Sequence, residues 1–298
     1  MDQQENNINS MQRVAAENVA GNKFGFVVLH YLVDQETIQC VASILAHCPG
    51  CPVVVVDNAS NNGSFERVME QYENVEGVYL LSNDMNRGFA VGNNVGYSFC
   101  RQKLGCNYVA TCNNDLIVQD DDFVHSAIND FKKYDCGVIG PSIISLKNGS
   151  EQNPADNLLT SKWQVLKRIV RYRYELLRTY VGPRERVALE TGTLTKSYTA
   201  SKNPRIVEKL HGACLIFTPA FVLAFAEAFD PRTFLYVEED ILAIRCRQAG
   251  LSMLFDPRIH VMHEEDASTE EMVKAGGTKE RFVLKENIKS LKVLAQYF

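Results

Sequence analysis

The sequence predicts an α/β protein, a mostly parallel central sheet flanked by helices and interrupted by a helical insertion. Three observations lead there. Short apolar runs recur, FGFVVLHYL at 24–32, VVVV before Asp57 and YVATC before Asn113, and continuous runs of this length mark strands covered on both faces. Segments with apolar residues at helical spacing separate them, so strand and helix alternate, an order that favours right-handed crossovers between parallel strands. Each run also stops on polar groups, at Tyr31, at Asp57-Asn58 and at Asn113-Asn114-Asp115, and the carboxyl edge of an open α/β sheet is where ligands bind.

Taken in order, residues 1–22 are rich in Asn and Gln and are expected to form a flexible tail. After the first strand, Ile38, Val41, Ile44 and Leu45 give helical spacing over 36–47, which Pro49-Gly50 ends. The second strand precedes Asp57, a helix covers 65–72 and a third strand 77–82. Gly88, Gly92 and Gly96 then lead at regular intervals into a helix ending near 104. The fourth strand runs into Asn113, Asp120-Asp121-Asp122 open a helix through 133, where acidic residues suit the positive end of the helix dipole, and CGVIGPSII is a further strand. Residues 23–145 thus form a nucleotide-binding half.

Residues 146–209 break the rhythm and are expected to be an insertion. Within it Trp163, Leu166, Val170, Tyr174, Leu177 and Val181 make an apolar stripe at helical spacing, and Lys162, Lys167, Arg168, Arg171, Arg173 and Arg178 make the same segment basic. Two readings stand: a helix packed on its own domain with a solvated basic face, or contact through 162–181 with an anionic membrane surface or an anionic acceptor. The sheet resumes over 210–268 with LHGACLIF, a helix after Thr218-Pro219, a helix headed by Glu238, Glu239 and Asp240, and two short strands ending near His263. Residues 269–298 read as a terminal amphipathic helix, packed in cis or forming a homodimer.

Bulk properties narrow the class. A net charge of −5 argues against a general nucleic-acid binder. Nine scattered cysteines, mostly in apolar segments, fit reduced thiols in a cytoplasm. Cys48 and Cys51 have CxxC spacing but no second pair to complete a zinc site. No apolar run is long enough to span a membrane and the first residues lack a signal-peptide pattern, so a cytoplasmic protein is expected, at most peripheral at the inner leaflet.

The chemistry concentrates in two places. Asn113-Asn114-Asp115 at a strand end suits a hard cation and a diphosphate, because Mg²⁺ and Mn²⁺ take oxygen ligands from one or two carboxylates, phosphates and water; turn chemistry is the competing explanation. Glu238, Glu239 and Asp240 are favoured by the helix dipole, and their crowding raises the pKa of one of them, as suits a general base.

In order and spacing, VVVVDNAS, NRGFAVGNNVGY, the strand ending NND, HGACLIF, FLYVEEDILAIR and VMHEEDAST resemble inverting family 2 glycosyltransferases of the GT-A fold, whose central sheet is Rossmann-like. The nearest resemblance is to rhamnosyltransferase-like enzymes that build bacterial surface polysaccharides such as capsule or O-antigen. It spans about 24–268, with 146–209 the least matched part. The resemblance implies a nucleotide-diphosphate sugar donor and a saccharide or lipid-linked acceptor. It places Tyr31 and Asp57 in the nucleotide-base pocket and Arg87, Gly88 and Asn94 near the ribose and diphosphate, and counts Asn58 among the donor-binding residues. It makes Asp115 the last carboxylate of the family's DXD motif, holding Mn²⁺ or Mg²⁺, with Asn113 where that motif begins and Asn114 between. His263 completes the metal site, and one of Glu239, Asp240 and Glu238, with Glu239 first, is the base.

Other classes remain as competitors. A nucleotidyltransferase would want a glycine-rich loop after the first strand, where HYLVDQET stands, and a Rossmann dehydrogenase or methyltransferase would want a glycine fingerprint there. A catalytically silent subunit that binds a nucleotide sugar or a membrane surface would need only part of the acidic set.

Overall fold

The computed structural model describes residues 21–181, 203–264 and 279–298. Most of the expected tail, residues 182–202 of the insertion and the start of the expected terminal helix lie outside the described residues.

Among the described residues nine strands form one sheet: β1 (Phe24–His30), β2 (Val53–Asp57), β3 (Val78–Ser82), β4 (Tyr108–Asn113), β5 (Leu116–Val118), β6 (Val138–Ser145), β7 (Arg205–Val207), β8 (Cys214–Phe217) and β9 (Met253–His263). Their order is β3-β2-β1-β4-β8-β6-β9-β5, with β7 paired to β9. β3, β2, β1 and β4 pair in parallel. β8 runs antiparallel between β4 and β6, and β9 is parallel to β6, so six strands share one direction while β8, β5 and β7 oppose it. The sheet is therefore mostly parallel.

The helices are α1 (Asp34–His47), α2 (Ser64–Tyr72), α3 (Gly88–Gln102), α4 (Phe123–Tyr134), α5 (Lys162–Val181), α6 (Pro219–Ala224), α7 (Glu238–Gln248) and α8 (Lys279–Leu294). Because strand side chains alternate, β1 sends Phe24, Phe26 and Val28 to one core layer, under α1, α2 and α4, and Val27 to the other, under α3, α6 and α7. A third cluster joins Val165, Ile169 and Tyr172 of α5 to Ile241 and Ile244 of α7 and to Leu284, Ile288 and Leu291 of α8. The terminal helix thus packs in cis. All nine cysteines are buried and unpaired by disulfides.

The glycine series on α3 is explained by close approach. A Cβ at Gly92 would stand 2.5 Å from Leu29 Cδ1, and one at Gly96 2.3 Å from Val27 Cγ1, so the glycines let α3 lie directly on β1. Gly88, at φ +79°, meets the backbone of Phe234 instead, and a Cβ there would stand 2.2 Å from the Phe234 carbonyl oxygen.

Three expectations need correction. The region expected to hold two short strands before His263 is one strand, β9, whose pairing with β6 shifts register between Pro141 and Ser142. The short β5 follows Asp115 at once, where no strand was expected; three residues are too few to show a period. The apolar stripe of the insertion is not the face that packs on the domain. Trp163 is 70% exposed, Val170 65%, Tyr174 62% and Leu177 64%, while Val165, Ile169 and Tyr172 face inward.

Candidate active site

Parallel register brings the polar strand ends into line: His30 lies beside Asp57, Asp57 beside Ser82 and Leu29 beside Asn113. β6 and β9 run the same way and end at Ser145 and His263. Because β5 starts immediately after Asp115 and pairs Leu116 with His263, the NND turn and the end of β9 become neighbours, and the Glu264 amide donates to the Asp115 carbonyl at 3.0 Å.

Asp115 and His263 meet through their side chains. Nε2 of His263 lies 3.2 Å from Oδ1 of Asp115, and both residues are buried. Nδ1 of His263 is 2.8 Å from Oε1 of Gln152. An amide oxygen only accepts, so Nδ1 carries the proton in the neutral ring and Nε2 turns its lone pair toward the carboxylate. Oδ1 of Asp115 accordingly has no hydrogen-bond donor. Two lone-pair donors facing each other in a buried place fit a hard divalent cation, and the histidine carries the outer hydrogen bond typical of a metal ligand. Among the described residues no cluster of three or more His, Cys, Asp or Glu forms there, so other ligands would come from a diphosphate and water.

The amides of the NND turn differ in their commitments. Asn114 is buried and its Nδ2 donates to Thr37 Oγ1 at 3.0 Å. Thr37 Oγ1 itself donates to the Val33 carbonyl and accepts from His30 Nδ1 at 2.7 Å. His30 Nε2 then accepts from Ser64 Oγ at 3.0 Å and lies 4.0 Å from Asp57 Oδ1. Burial lowers the His30 pKa, with Asp57 opposing, which agrees with this neutral, fully bonded ring. Asn113 is half-buried at the edge, its backbone N–H donating to the Ala213 carbonyl at 2.8 Å.

At the end of β2, Asp57 is buried and accepts from the Ser60 amide at 3.1 and 3.2 Å. Tyr31 is half-buried beside it, where Leu32 turns the chain at φ +65°. Asn58 donates to Asn86 Oδ1 and the Gly88 carbonyl and accepts from Asn83 Nδ2 and the Arg87 amide, which occupies its whole side chain. Arg87 caps α3 and its side chain is exposed. Asn94 is clamped to the Phe229 backbone at both amide atoms, 2.8 and 2.9 Å. The structure therefore gives Asn58 and Asn94 loop-bracing contacts, while Tyr31 is half-buried, Arg87 exposed and Asp57 buried against Ser60.

The three carboxylates of α7 have three environments. The chain enters the helix through Tyr236 at φ +72° and Val237 at φ +71°, a conformation costly for a β-branched residue and held only where the surroundings impose it. Glu238 is buried and its Oε1 has no partner; burial, then the charge of Glu239, pushes its pKa well up and favours the neutral acid. Asp240 accepts from the Leu159 amide at 3.1 Å and pairs with Lys209 at 3.3 Å, which ties the insertion to α7. Glu239 lies against Gly212, so closely that a Cβ there would stand 2.5 Å from Oε1. Burial raises its pKa while hydrogen bonding and Lys209 oppose. Gly212 stands between His211 and Ala213, whose carbonyl holds Asn113, so one loop separates Glu239 from the NND turn. His211 packs against His263 with ring centroids 6.0 Å apart, and burial brings its pKa down to about 4.

Gln152, His30 and Thr37 were not singled out by sequence. His30 left a signal, a polar residue ending an apolar strand. Gln152 left none.

Residues 26–188 match the family model Glycosyl transferase family 2. No curated protein matches the chain. Among solved structures, GalNAc-T7 with UDP, GalNAc and Mn²⁺ aligns at a TM-score of 0.58 and 14% identity, over 82% of this chain and 44% of that one. S. aureus TarS 1-349 in complex with UDP aligns at 0.47 and 13% identity, over 82% of this chain and 59% of that one. The chain spans less than two thirds of the length of either, and at such identity the likeness to GalNAc-T7 is one of fold, the mostly parallel α/β sheet of GT-A glycosyltransferases. A single family model covering more than half of the residues, on that fold, settles the relationship: the chain belongs to glycosyl transferase family 2.

Proposed function

We propose that the protein transfers a hexosyl or deoxyhexosyl group from a nucleotide-diphosphate donor to a hydroxyl of a saccharide or lipid-linked acceptor, with inversion, in bacterial surface-polysaccharide synthesis. The observation that carries the reading is the pairing of Asp115 Oδ1 with His263 Nε2, one loop away from Glu239. Asp115 and His263 would hold Mn²⁺ or Mg²⁺, which supplies positive charge to a departing diphosphate. GalNAc-T7, of like fold, was solved with Mn²⁺ and UDP, which supports that assignment. Tyr31 and Asp57 receive the base, and Arg87 the diphosphate or ribose.

Glu239 takes the acceptor proton. As its carboxylate accepts that proton, the acceptor oxygen bonds to the anomeric carbon and the bond from that carbon to the diphosphate oxygen breaks, so configuration inverts in one displacement. Asp240 is held by Lys209 and Leu159, and Glu238 by its favoured neutral form, which leaves Glu239 as the base. A product of retained anomeric configuration, read by proton NMR of a transfer reaction, would exclude the scheme. Asn113, without charge where the motif begins with Asp, favours the second reading, a silent nucleotide-sugar-binding subunit; metal-dependent release of nucleoside diphosphate from any donor would remove it.

A further inference from the structure

Helix α5 has two apolar faces. One, Val165, Ile169 and Tyr172, is buried against α7 and α8. The other, about 130° around the axis at 3.6 residues per turn, carries Trp163, Leu166, Val170, Tyr174 and Leu177, each between 43% and 70% exposed. Contiguous exposed apolar rows of this kind mark interaction surfaces. By the same helical spacing Lys167 and Arg178 flank the exposed row on one side, and Lys162 and Arg173 on the other. None of these four has an ion-pair partner among the described residues. The segment holds six basic side chains and one acidic, in a chain of net charge −5.

We infer that this face of α5 docks the protein on an anionic phospholipid bilayer, with the aromatic and aliphatic row at the acyl boundary and the basic rows among the headgroups. The flanking charge decides the occupant. A helix lying in the interface combines an apolar row with Lys and Arg beside it and gains from anionic lipid. A second copy meeting the same face about a two-fold axis would set like charges opposite one another. α5 packs mainly on α8 and shares its buried cluster with α7, the helix that presents Glu239, so a bilayer bound there would lie on the outer side of that cluster. The inference goes beyond sugar transfer and is tested without donor or acceptor.

The chain has one tryptophan, and Trp163 stands in the exposed row, so its emission reports the contact. With the full chain, vesicles of phosphatidylcholine enriched in phosphatidylglycerol should shift that emission to the blue and carry the protein down on sedimentation, and added salt should weaken both. Phosphatidylcholine alone should do neither. Reversing Lys167, Arg173 and Arg178 to Glu should weaken binding more than about a hundredfold, at roughly fivefold per basic residue. Val170→Ser with Leu177→Ser should also release the vesicles while the melting temperature holds, since both side chains face solvent. No preference for anionic lipid, or binding that survives both variants, would overturn the inference. So would concentration-dependent self-association, abolished by the same variants, in place of vesicle binding.

Discussion

Two sets of polar residues near the strand ends behave in opposite ways. In one, Asn58, Asn94 and Asn114 hold backbone and side-chain partners, and the result is a braced frame. In the other, Asp115 Oδ1 and Glu238 Oε1 are buried without partners, and Glu239 has its carboxylate raised in pKa by burial. An unpaired buried acceptor costs about 1–3 kcal/mol, so such atoms persist where something absent from the free protein completes them, or where a carboxyl stays protonated. What separates Asp115 and Glu238 from the bracing amides is that a carboxylate oxygen of each is left uncommitted.

Substitutions can sharpen that contrast. Glu239→Gln should lower kcat by about 10²–10⁴ with donor affinity retained. Its raised pKa also fixes a sign: a base works deprotonated, so wild-type kcat should fall on the acid side at a pH above the ordinary carboxylate range, and the variant's residual rate should lose that limb. A rate unchanged in the variant would move the base elsewhere. Gln152→Leu removes the acceptor that fixes the His263 tautomer and should weaken Mn²⁺ binding about 10- to 100-fold, read by calorimetry, with the fold intact.

Effects on the framing side should fall on stability. Asn58→Ala strands the Arg87 amide and the Gly88 carbonyl and should cost about 2–4 kcal/mol in denaturant unfolding, as two lost partners imply. A smaller effect belongs to Asp230 beside the Asn94 clamp. Burial works against its ionisation, but hydrogen bonds from Arg232 and Tyr297 outweigh it and bring the pKa to about 2. A folded pKa below the unfolded 3.8 stabilises above that value, and the gain is lost as pH falls toward 2. Asp230→Asn should therefore cost about 1–2 kcal/mol at neutral pH, discounted for the half-exposed Arg232, and flatten the acid limb of stability without changing the donor Kd.

Much of this was legible in the residues. Continuous apolar runs ending on Asp57 and on NND announced parallel strands and the polar edge at which they stop, because covered strands allow no polar residue until the sheet stops. The EED run showed itself through the helix dipole, although only three-dimensional contacts separate Glu239 from Asp240, which Lys209 holds. Gln152 was invisible, since it reaches His263 through the pairing of β6 with β9 across a long stretch of chain. In α5 the period was readable but the direction was not. Helical spacing reveals both apolar rows, and the larger aromatic row draws the eye although the smaller one is buried.

The central claim, that Asp115 and His263 form a metal and diphosphate site, is tested most directly by calorimetric titration of nucleoside diphosphates and their sugars. Each would be run with Mn²⁺, with Mg²⁺ and with chelator, on the native chain and on Asp115→Ala. Binding of at least one nucleotide that needs the metal and vanishes in the variant is the predicted result. A panel in which nothing binds, or in which Asp115→Ala binds as the native chain does, would contradict it.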